Sequence, residues 1–176
     1  MSVDEFFTWA EGREGRWELH DGRPVAMSPE RVLHAETKGA VFLALKAAIE
    51  RAGAPCRAVP DGAAVRIAAR TSFEPDATVY CGPRLAPDAI EIPDPIIVVE
   101  VLSPSTEGRD HRAKLKGYFS LPSVQHYLIL DPDTRTLIHH KRGQGDIIET
   151  RILGEGVLRL DPPGIETPVG EMFPSP

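Results

Sequence analysis

The sequence predicts a domain in which helices pack on a mixed central β-sheet, with a short helix and a hairpin at the N-terminus. Three observations carry this reading. Apolar residues recur at the 3–4 spacing of a helix between Arg31 and Ala52, then fall into short strand-like runs, then return to helical spacing between Gly108 and Ser120. The run Ile96–Val101 is the most apolar strand candidate in the chain, as expected of a central strand covered on both faces. The strand–helix–strand piece from Ile96 to Leu130 is long enough for a parallel crossover, which is right-handed when it occurs. Interleaved helices and strands leave α/β and α+β arrangements both open.

Each element has a local cause. Ser2 followed by Glu5 forms a capping box that opens a helix through about Trp9. Trp17–His20 and Arg23–Met27 flank Asp21-Gly22, a pair that tolerates the positive φ of a tight hairpin turn. The long helix presents Val41, Leu45, Ala48 and Ala52 on one face, and Gly53 and Pro55 end it. Cys56–Val59 and Ala63–Ile67 flank Pro60-Asp61-Gly62 and read as a second hairpin. Ala77–Tyr80 is a short strand entered through Pro75-Asp76. Helix caps are offered by Ser103–Thr106, with capping the simplest role for Ser103 and Ser105. Val124–Leu130 and Thr136–His140 are further strands on either side of Asp131-Pro132-Asp133, and Ile147–Leu160 supplies one or two edge strands. The proline-rich C-terminus, PPGIETPVGEMFPSP, reads as an irregular tail.

Length and charge bound the rest. A chain of 176 residues is expected to form one domain over 1–176 and to bury a sizeable core. A net charge of −6 argues against coating nucleic acid by bulk electrostatics, but leaves room for a local basic surface. The acidic start MSVDEFFTWAEG does not have the form of a secretion signal. Two cysteines, Cys56 and Cys81, make no disulfide framework and lack metal-ligand spacing, so a cytoplasmic location is the default expectation. His139 and His140, adjacent on a strand, point to opposite faces and cannot chelate one ion together.

The chemistry concentrates at two carboxylates. Glu100 interrupts the otherwise apolar IIVVEVL, and burying an unpaired carboxylate costs several kcal/mol, of the order of 3–5, unless it is paired, protonated or bound to metal. Two readings stay open: a solvated or Arg/Lys-paired strand end, or a metal ligand with Asp76 as the second carboxylate. Two carboxylates without a Cys or His cluster suit Mg²⁺ or Mn²⁺. Lys114 follows on the next helix, sharing a face with Asp110, His111 and Tyr118, opposite Leu115 and Phe119. It reads either as a surface partner of Asp110 or as a cation turned back over the sheet end, stabilising charge at a phosphate. Arg109, Arg112 and Lys116 make this helix the most basic part of the chain, suited to phosphate-backbone contact.

The stretches WELHDGRPVAMSPE, FEPDATVY and PDPIIVVEVLSPSTEGRDHRAKLKGYFSLPSVQHYLILDPDTRTLIHH resemble the Uma family of endonucleases, over about residues 1–141. The resemblance implies a restriction-endonuclease-like fold of the PD-(D/E)XK type and a metal-dependent phosphodiesterase. Residue by residue, Asp76 matches the Asp of the Pro-Asp motif and Glu100 the acidic residue that follows it. The motif lysine belongs two residues later, where this chain has Leu102; in this family it is displaced to the following helix, which points to Lys114. Glu18 matches an N-terminal glutamate that completes such sites, and His34 a histidine near the start of the long helix.

The expectation is therefore a Mg²⁺- or Mn²⁺-dependent nuclease acting on nucleic acid, DNA in the first place. Asp76 and Glu100 hold the ion, with a carbonyl near Val101 as a further ligand. Lys114 and Glu18 complete the catalytic group, and His34, Arg109 and Arg112 contact substrate. A two-fold homodimer would suit cutting a duplex. The rival is a catalytically inactive module of the same fold that binds nucleic acid or a protein partner; overall acidity and Leu102 favour it.

Overall fold

The computed structural model describes residues 1–103 and 109–175. Helix α1 (Val3–Ala10) begins at the expected capping box, in which the Glu5 N–H donates to Ser2 Oγ and the Ser2 N–H to Glu5 Oε2. Strands β1 (Trp17–His20) and β2 (Arg23–Ala26) form the expected hairpin, with φ of 47° at Asp21 and 79° at Gly22. Helix α2 (Val32–Ala52) ends at Gly53, in the left-handed conformation at φ 59°. Its buried stripe runs through Val41, Leu45, Ala48 and Ile49 rather than Ala52, which is exposed in the last turn.

The next segments, β3 (Cys56–Pro60), β4 (Val65–Ala68), β5 (Thr71–Phe73), β6 (Ala77–Cys81) and β7 (Pro95–Val101), divide between two sheets. Helix α3 (Arg109–Ser120) then leads to β8 (His126–Asp131), β9 (Thr136–Arg142) and β10 (Ile148–Leu153). The large sheet has the order β10-β9-β8-β7-β6-β3, and the small one the order β2-β1-β5-β4. Strands β7 and β8 are parallel, joined through α3, and the other neighbours in the large sheet are antiparallel. This is the mixed α/β sheet expected, with β7 inside it.

One expected pairing fails, and one pairing appears that was not expected. Cys56–Val59 and Ala63–Ile67 form no hairpin, because β3 pairs with β6 in the large sheet while β4 pairs with β5 in the small one. Pro60-Asp61-Gly62 therefore carries the chain from one sheet to the other. Cys56 and Cys81 lie directly opposite across β3 and β6 and are disulfide-bonded. A single bridge at a paired position needs no framework, and it removes the ground on which a reducing compartment was expected. Among the described residues, no helix is long and apolar enough to cross a membrane. The helix cap expected within Ser103–Thr106 falls mostly on residues outside the description.

The C-terminal segment is not an irregular tail. Strands β11 (Val157–Leu160) and β12 (Ile165–Pro168) pair as a ribbon, and a 3₁₀ turn follows at Val169–Met172. Leu158, Leu160, Ile165, Val169, Met172 and Phe173 are buried in the core formed by α2 and one face of the large sheet. Prolines dominated the sequence signal there, while the alternation Leu158/Leu160 and Ile165/Thr167 is the pattern that marks the ribbon.

Period-2 alternation decides the two faces of β7. Ile97, Val99 and Val101 pack toward α2, and Val98 packs with Phe73, Tyr118, Val124, Tyr127 and Ile129 on the α3 side. His139 and His140 also separate as expected: His139 is buried against His126, and His140 faces Thr150 and the Tyr127 ring. His126 Nε2–H donates to the Pro162 carbonyl at 2.8 Å, so its Nδ1 accepts from His139 Nε2–H at 2.9 Å. Burial holds both rings below the usual histidine range, at about 4 for His126 and about 3 for His139, so the pair is neutral.

One glycine sets the distance between α3 and the small sheet. A Cβ on Gly117 would stand 2.8 Å from Phe73 Cε2 and 3.2 Å from Ile67 Cγ2. Phe73 cannot swing away easily, since Tyr118 packs edge-on to its ring at 5.5 Å and the tilted His20 ring lies at 5.1 Å. Gly117→Ala gains about 1 kcal/mol of helix propensity but incurs roughly 1–3 kcal/mol of overpacking. We expect net destabilisation of about 1 kcal/mol in urea unfolding, together with a displaced α3; a more stable variant would show that the sheet yields.

Candidate active site

Four separate elements deliver charged side chains to one end of the large sheet. Strand β1 carries Glu18 on the face opposite Leu19, which packs with Val3 and Phe6. Asp76 precedes β6, with its N–H donating to the Val99 carbonyl at 2.9 Å. Glu100 lies near the end of β7, and Lys114 one turn into α3. All four are buried.

Lys114 is the centre of the group. Its ammonium lies 3.0 Å from both oxygens of Glu100 and 3.0 Å from Glu18 Oε1, and 5.7 Å from the centroid of the Phe73 ring. The Tyr118 hydroxyl, one turn further along α3, donates to Glu100 Oε1 at 2.6 Å. Glu18 is pinned as well: Oε1 accepts from the Glu74 N–H at 2.9 Å and Oε2 faces His20 Nε2 at 2.9 Å. Lys114 is thus a buried cation held by two glutamates, while the side chain of Asp110, its alternative partner, lies outside the description. Leu102 packs with the apolar cluster of Val98 and Tyr118, so the position two residues after Glu100 belongs to the core and the cation arrives from the helix.

Asp76 has different partners. Its Oδ2 accepts from the Val101 N–H at 2.6 Å, and its Oδ1 lies 3.3 Å from Lys38 Nζ. Lys38 of α2 also pairs with Glu30 at 2.6 Å and with Asp61. Arg16 binds the same two acids and Glu74, at 3.2, 2.7 and 2.7 Å. His34 is buried beside them. Its Nε2–H donates to the Val101 carbonyl at 2.9 Å, and its Nδ1 lies 3.3 Å from Glu30 Oε2. Glu30, His34 and Asp76 each offer a donor atom within 4.8 Å of the others.

The sequence reading did not include Lys38, Glu30, Asp61 or Arg16 in the site. Lys38 is polar within an otherwise helical pattern, where an exposed position is the ordinary reading. The one available signal was its place a single turn after His34, on the same face. Of the residues expected to meet substrate, His34 is buried against the Val101 carbonyl, which it occupies, and Arg112 is exposed on the outside of α3. Arg109 starts α3, and its side chain lies outside the description.

Among the described residues, carboxylates outnumber cations at this end of the sheet. Glu18, Glu30, Asp61, Glu74, Asp76 and Glu100 share Arg16, Lys38 and Lys114. Burial pushes Glu100 up to about 8; Lys114 and the Tyr118 hydroxyl oppose this, while the charges of Asp76 and Glu18 add to it. Asp76 is also raised by burial, against the pull of the Val101 N–H, Lys38 and His34. Burial acts on Glu18 in the same sense, but His20, Lys114 and the Glu74 N–H outweigh it and hold the group at about 2. One lysine between two glutamates thus keeps one ionised and leaves the other proton-hungry. Burial alone would lower the Lys38 ammonium, yet Asp61, Glu30 and Asp76 raise it above the usual lysine range.

Comparison with known proteins agrees with this architecture. A crystal structure described as a putative nuclease belonging to DUF820, from Anabaena variabilis, superposes with a TM-score of 0.75 at 18% identity, covering 98% of this chain and 97% of the other. An uncharacterised protein of Synechocystis sp., slr1290, is 27% identical over 175 residues, which is 98% of this chain and 91% of the relative. The profile of the Uma2 family, described as "Putative restriction endonuclease", matches residues 3–169, a span that contains every residue of the site, and the chain belongs to that family.

Proposed function

We propose that this chain is a divalent-metal-dependent nuclease that hydrolyses phosphodiester bonds, with DNA as its substrate. The observation that carries the reading is the convergence of Asp76, Glu100, Glu18 and Lys114, far apart in sequence, on one buried end of the sheet. The donors fit a hard divalent ion such as Mg²⁺ or Mn²⁺. They are mainly carboxylate oxygens, they outnumber the cations paired with them among the described residues, and the buried His34 Nδ1 lies 3.3 Å from a Glu30 oxygen. Asp76 and Glu100 would hold the ion.

When bound, the ion supplies Lewis-acid charge to the scissile phosphate and lowers the pKa of a coordinated water. The Val101 N–H and Lys38 fix the two oxygens of Asp76, so its carboxylate is set before substrate arrives. Tyr118 and Lys114 do the same for Glu100. Lys114 also places a positive charge where negative charge grows on the phosphate. Glu18, ionised throughout the physiological range, holds the Lys114 ammonium in place from 3.0 Å. Exposed Arg112 and Lys116 suit contacts to the phosphate backbone, and a homodimer would bring two sites to the two strands of a duplex.

One observation favours the rival, a nuclease-fold module that binds without cutting: Lys114 and Lys38 already satisfy much of the charge on Glu100 and Asp76. Calorimetric titration with Mn²⁺ and cleavage of labelled DNA separate the two. The nuclease reading expects Asp76→Asn and Glu100→Gln to lose both binding and cleavage. Lys114→Ala, which removes a cation from beside the carboxylates, should bind Mn²⁺ at least as tightly while turnover falls by roughly 10²–10³-fold. Lys116→Ala should change only the salt-dependent affinity for substrate. Mn²⁺ binding unaffected by either carboxylate substitution would overturn the proposal.

The raised Glu100 gives a second expectation. In the unfolded chain this group titrates near 4.5, in the fold near 8. Between those values the fold retains a proton that unfolding releases, so stability falls as pH rises, with a slope of up to about 1.4 kcal/mol per pH unit. Glu18, held at about 2, acts in the opposite sense: its contribution is present above 4.5 and is lost as pH falls toward 2. The buried neutral His126 and His139 act against this up to about pH 6.5, where the unfolded histidines lose their protons, so in chelator the melting temperature should decline between about pH 7 and pH 8. Glu100→Gln should flatten that decline; an unchanged slope would show that Glu100 titrates normally.

A further inference from the structure

We infer that β10 is the interface of a symmetric homodimer, in which the β10 strands of two copies pair antiparallel about a two-fold axis through Thr150 and join two six-stranded sheets into one. The inference is independent of the nuclease reading. It rests on the edge position of β10, on the direction of its backbone groups, and on the self-complementarity of its side chains.

Strand β10 is the outermost strand of the large sheet, and among the described residues no strand pairs with its outer edge. Exposed edges of this kind template further pairing, and proteins usually blunt them with lysine, proline or a bulge. Ile148–Leu153 contains neither lysine nor proline, and its register with β9 runs without a shift. It is also flanked by uncovered apolar surface: Ile147 is 62% exposed, Ile148 38% and Ile152 71%.

The backbone fixes which residues can pair outward. The Gly143 N–H donates to the Ile147 carbonyl at 2.8 Å, and the β9–β10 register continues from there as Ile148↔Arg142, Glu149↔Lys141 and onward. In an antiparallel ladder the residues that bond to the neighbour alternate. Glu149, Arg151 and Leu153 therefore bond toward β9, and Ile148, Thr150 and Ile152 direct their N–H and C=O groups outward. A two-fold axis between identical antiparallel strands must pass through or between residues, and an axis through Thr150 makes all three outward residues bonded: Thr150 with Thr150 of the second copy, and Ile148 with Ile152 in both directions.

The side chains agree with that axis. It sets Glu149 of each copy opposite Arg151 of the other, which gives two cross-strand opposite-charge pairs on one face. On the other face the exposed Ile148 and Ile152 meet the same pair from the second copy. A partner of unrelated sequence has no reason to match this arrangement, whereas a second copy matches it by symmetry.

The test is the solution mass of the full chain, by sedimentation velocity or light scattering at tens of micromolar, with circular dichroism as the check on folding. Wild type should run at twice the 19.3 kDa of the chain. Arg151→Glu places like charges opposite one another twice and should give monomer, as should Glu149→Arg. The double variant Glu149→Arg/Arg151→Glu restores opposite charges in reversed order and should recover the dimer. Thr150→Pro removes an outward N–H and the exposed hydroxyl contact to His140 but no hydrogen bond of the β9–β10 ladder, so it should leave the fold intact and abolish pairing. A monomeric wild type would overturn the inference. So would single charge reversals that stay dimeric, or a double variant no more dimeric than the singles.

Discussion

Everything at the candidate site depends on one ammonium group shared by two glutamates. Lys114 belongs to α3, Glu100 to the large sheet and Glu18 to the small one, so a single buried cation ties three pieces of the molecule together. A buried ion pair of this sort is weak as a source of net stability, because desolvation offsets most of the Coulomb gain. Its value is positional. With Tyr118 on Glu100 and a backbone N–H on Glu18, each carboxylate has one permitted orientation, and the whole arrangement is set by packing that includes Gly117 against Phe73.

A second cation, Lys38, does the corresponding work on the α2 side of Asp76. The two lysines divide the site into halves that meet at the last residues of β7, where Val101 donates its N–H to Asp76 and accepts from His34 at its carbonyl. Among the described residues, neither half is electrically complete. The surplus of carboxylates is spread between them, and the raised Glu100 and Asp76 are its physical signature. A site composed in this way attracts additional positive charge without needing any rearrangement of its backbone.

The most local features were legible in the sequence: the capping box, the Asp-Gly turn, the glycine stop of α2, and a glutamate that did not belong in an apolar strand. Each is decided by a few adjacent residues. Sheet membership was not legible, because β3 and β4 differ little in composition and are assigned to different sheets by partners far along the chain. Strand β5 escaped notice for the same reason: three residues acquire strand character only from β1 and β4 beside them. At the site, Asp76, Glu100, Glu18 and Lys114 could be named because a displaced motif pointed to them. Lys38, Arg16, Glu30 and Asp61 could not, since a salt-bridge network leaves no pattern in one dimension.

The C-terminal ribbon has a consequence for biosynthesis. Val169, Met172 and Phe173 close the same core that α2 opens more than a hundred residues earlier, and β12 lies against that helix. A chain emerging from a ribosome reaches these residues more than a hundred residues after α2. The apolar face of α2 therefore stays without this cover until the ribbon has emerged, and the His34–Lys38 half of the site gains that support only then. Until then the nascent protein carries an uncovered apolar groove and an incompletely braced acidic site, a window in which holding chaperones rather than substrate are the natural occupants of that surface.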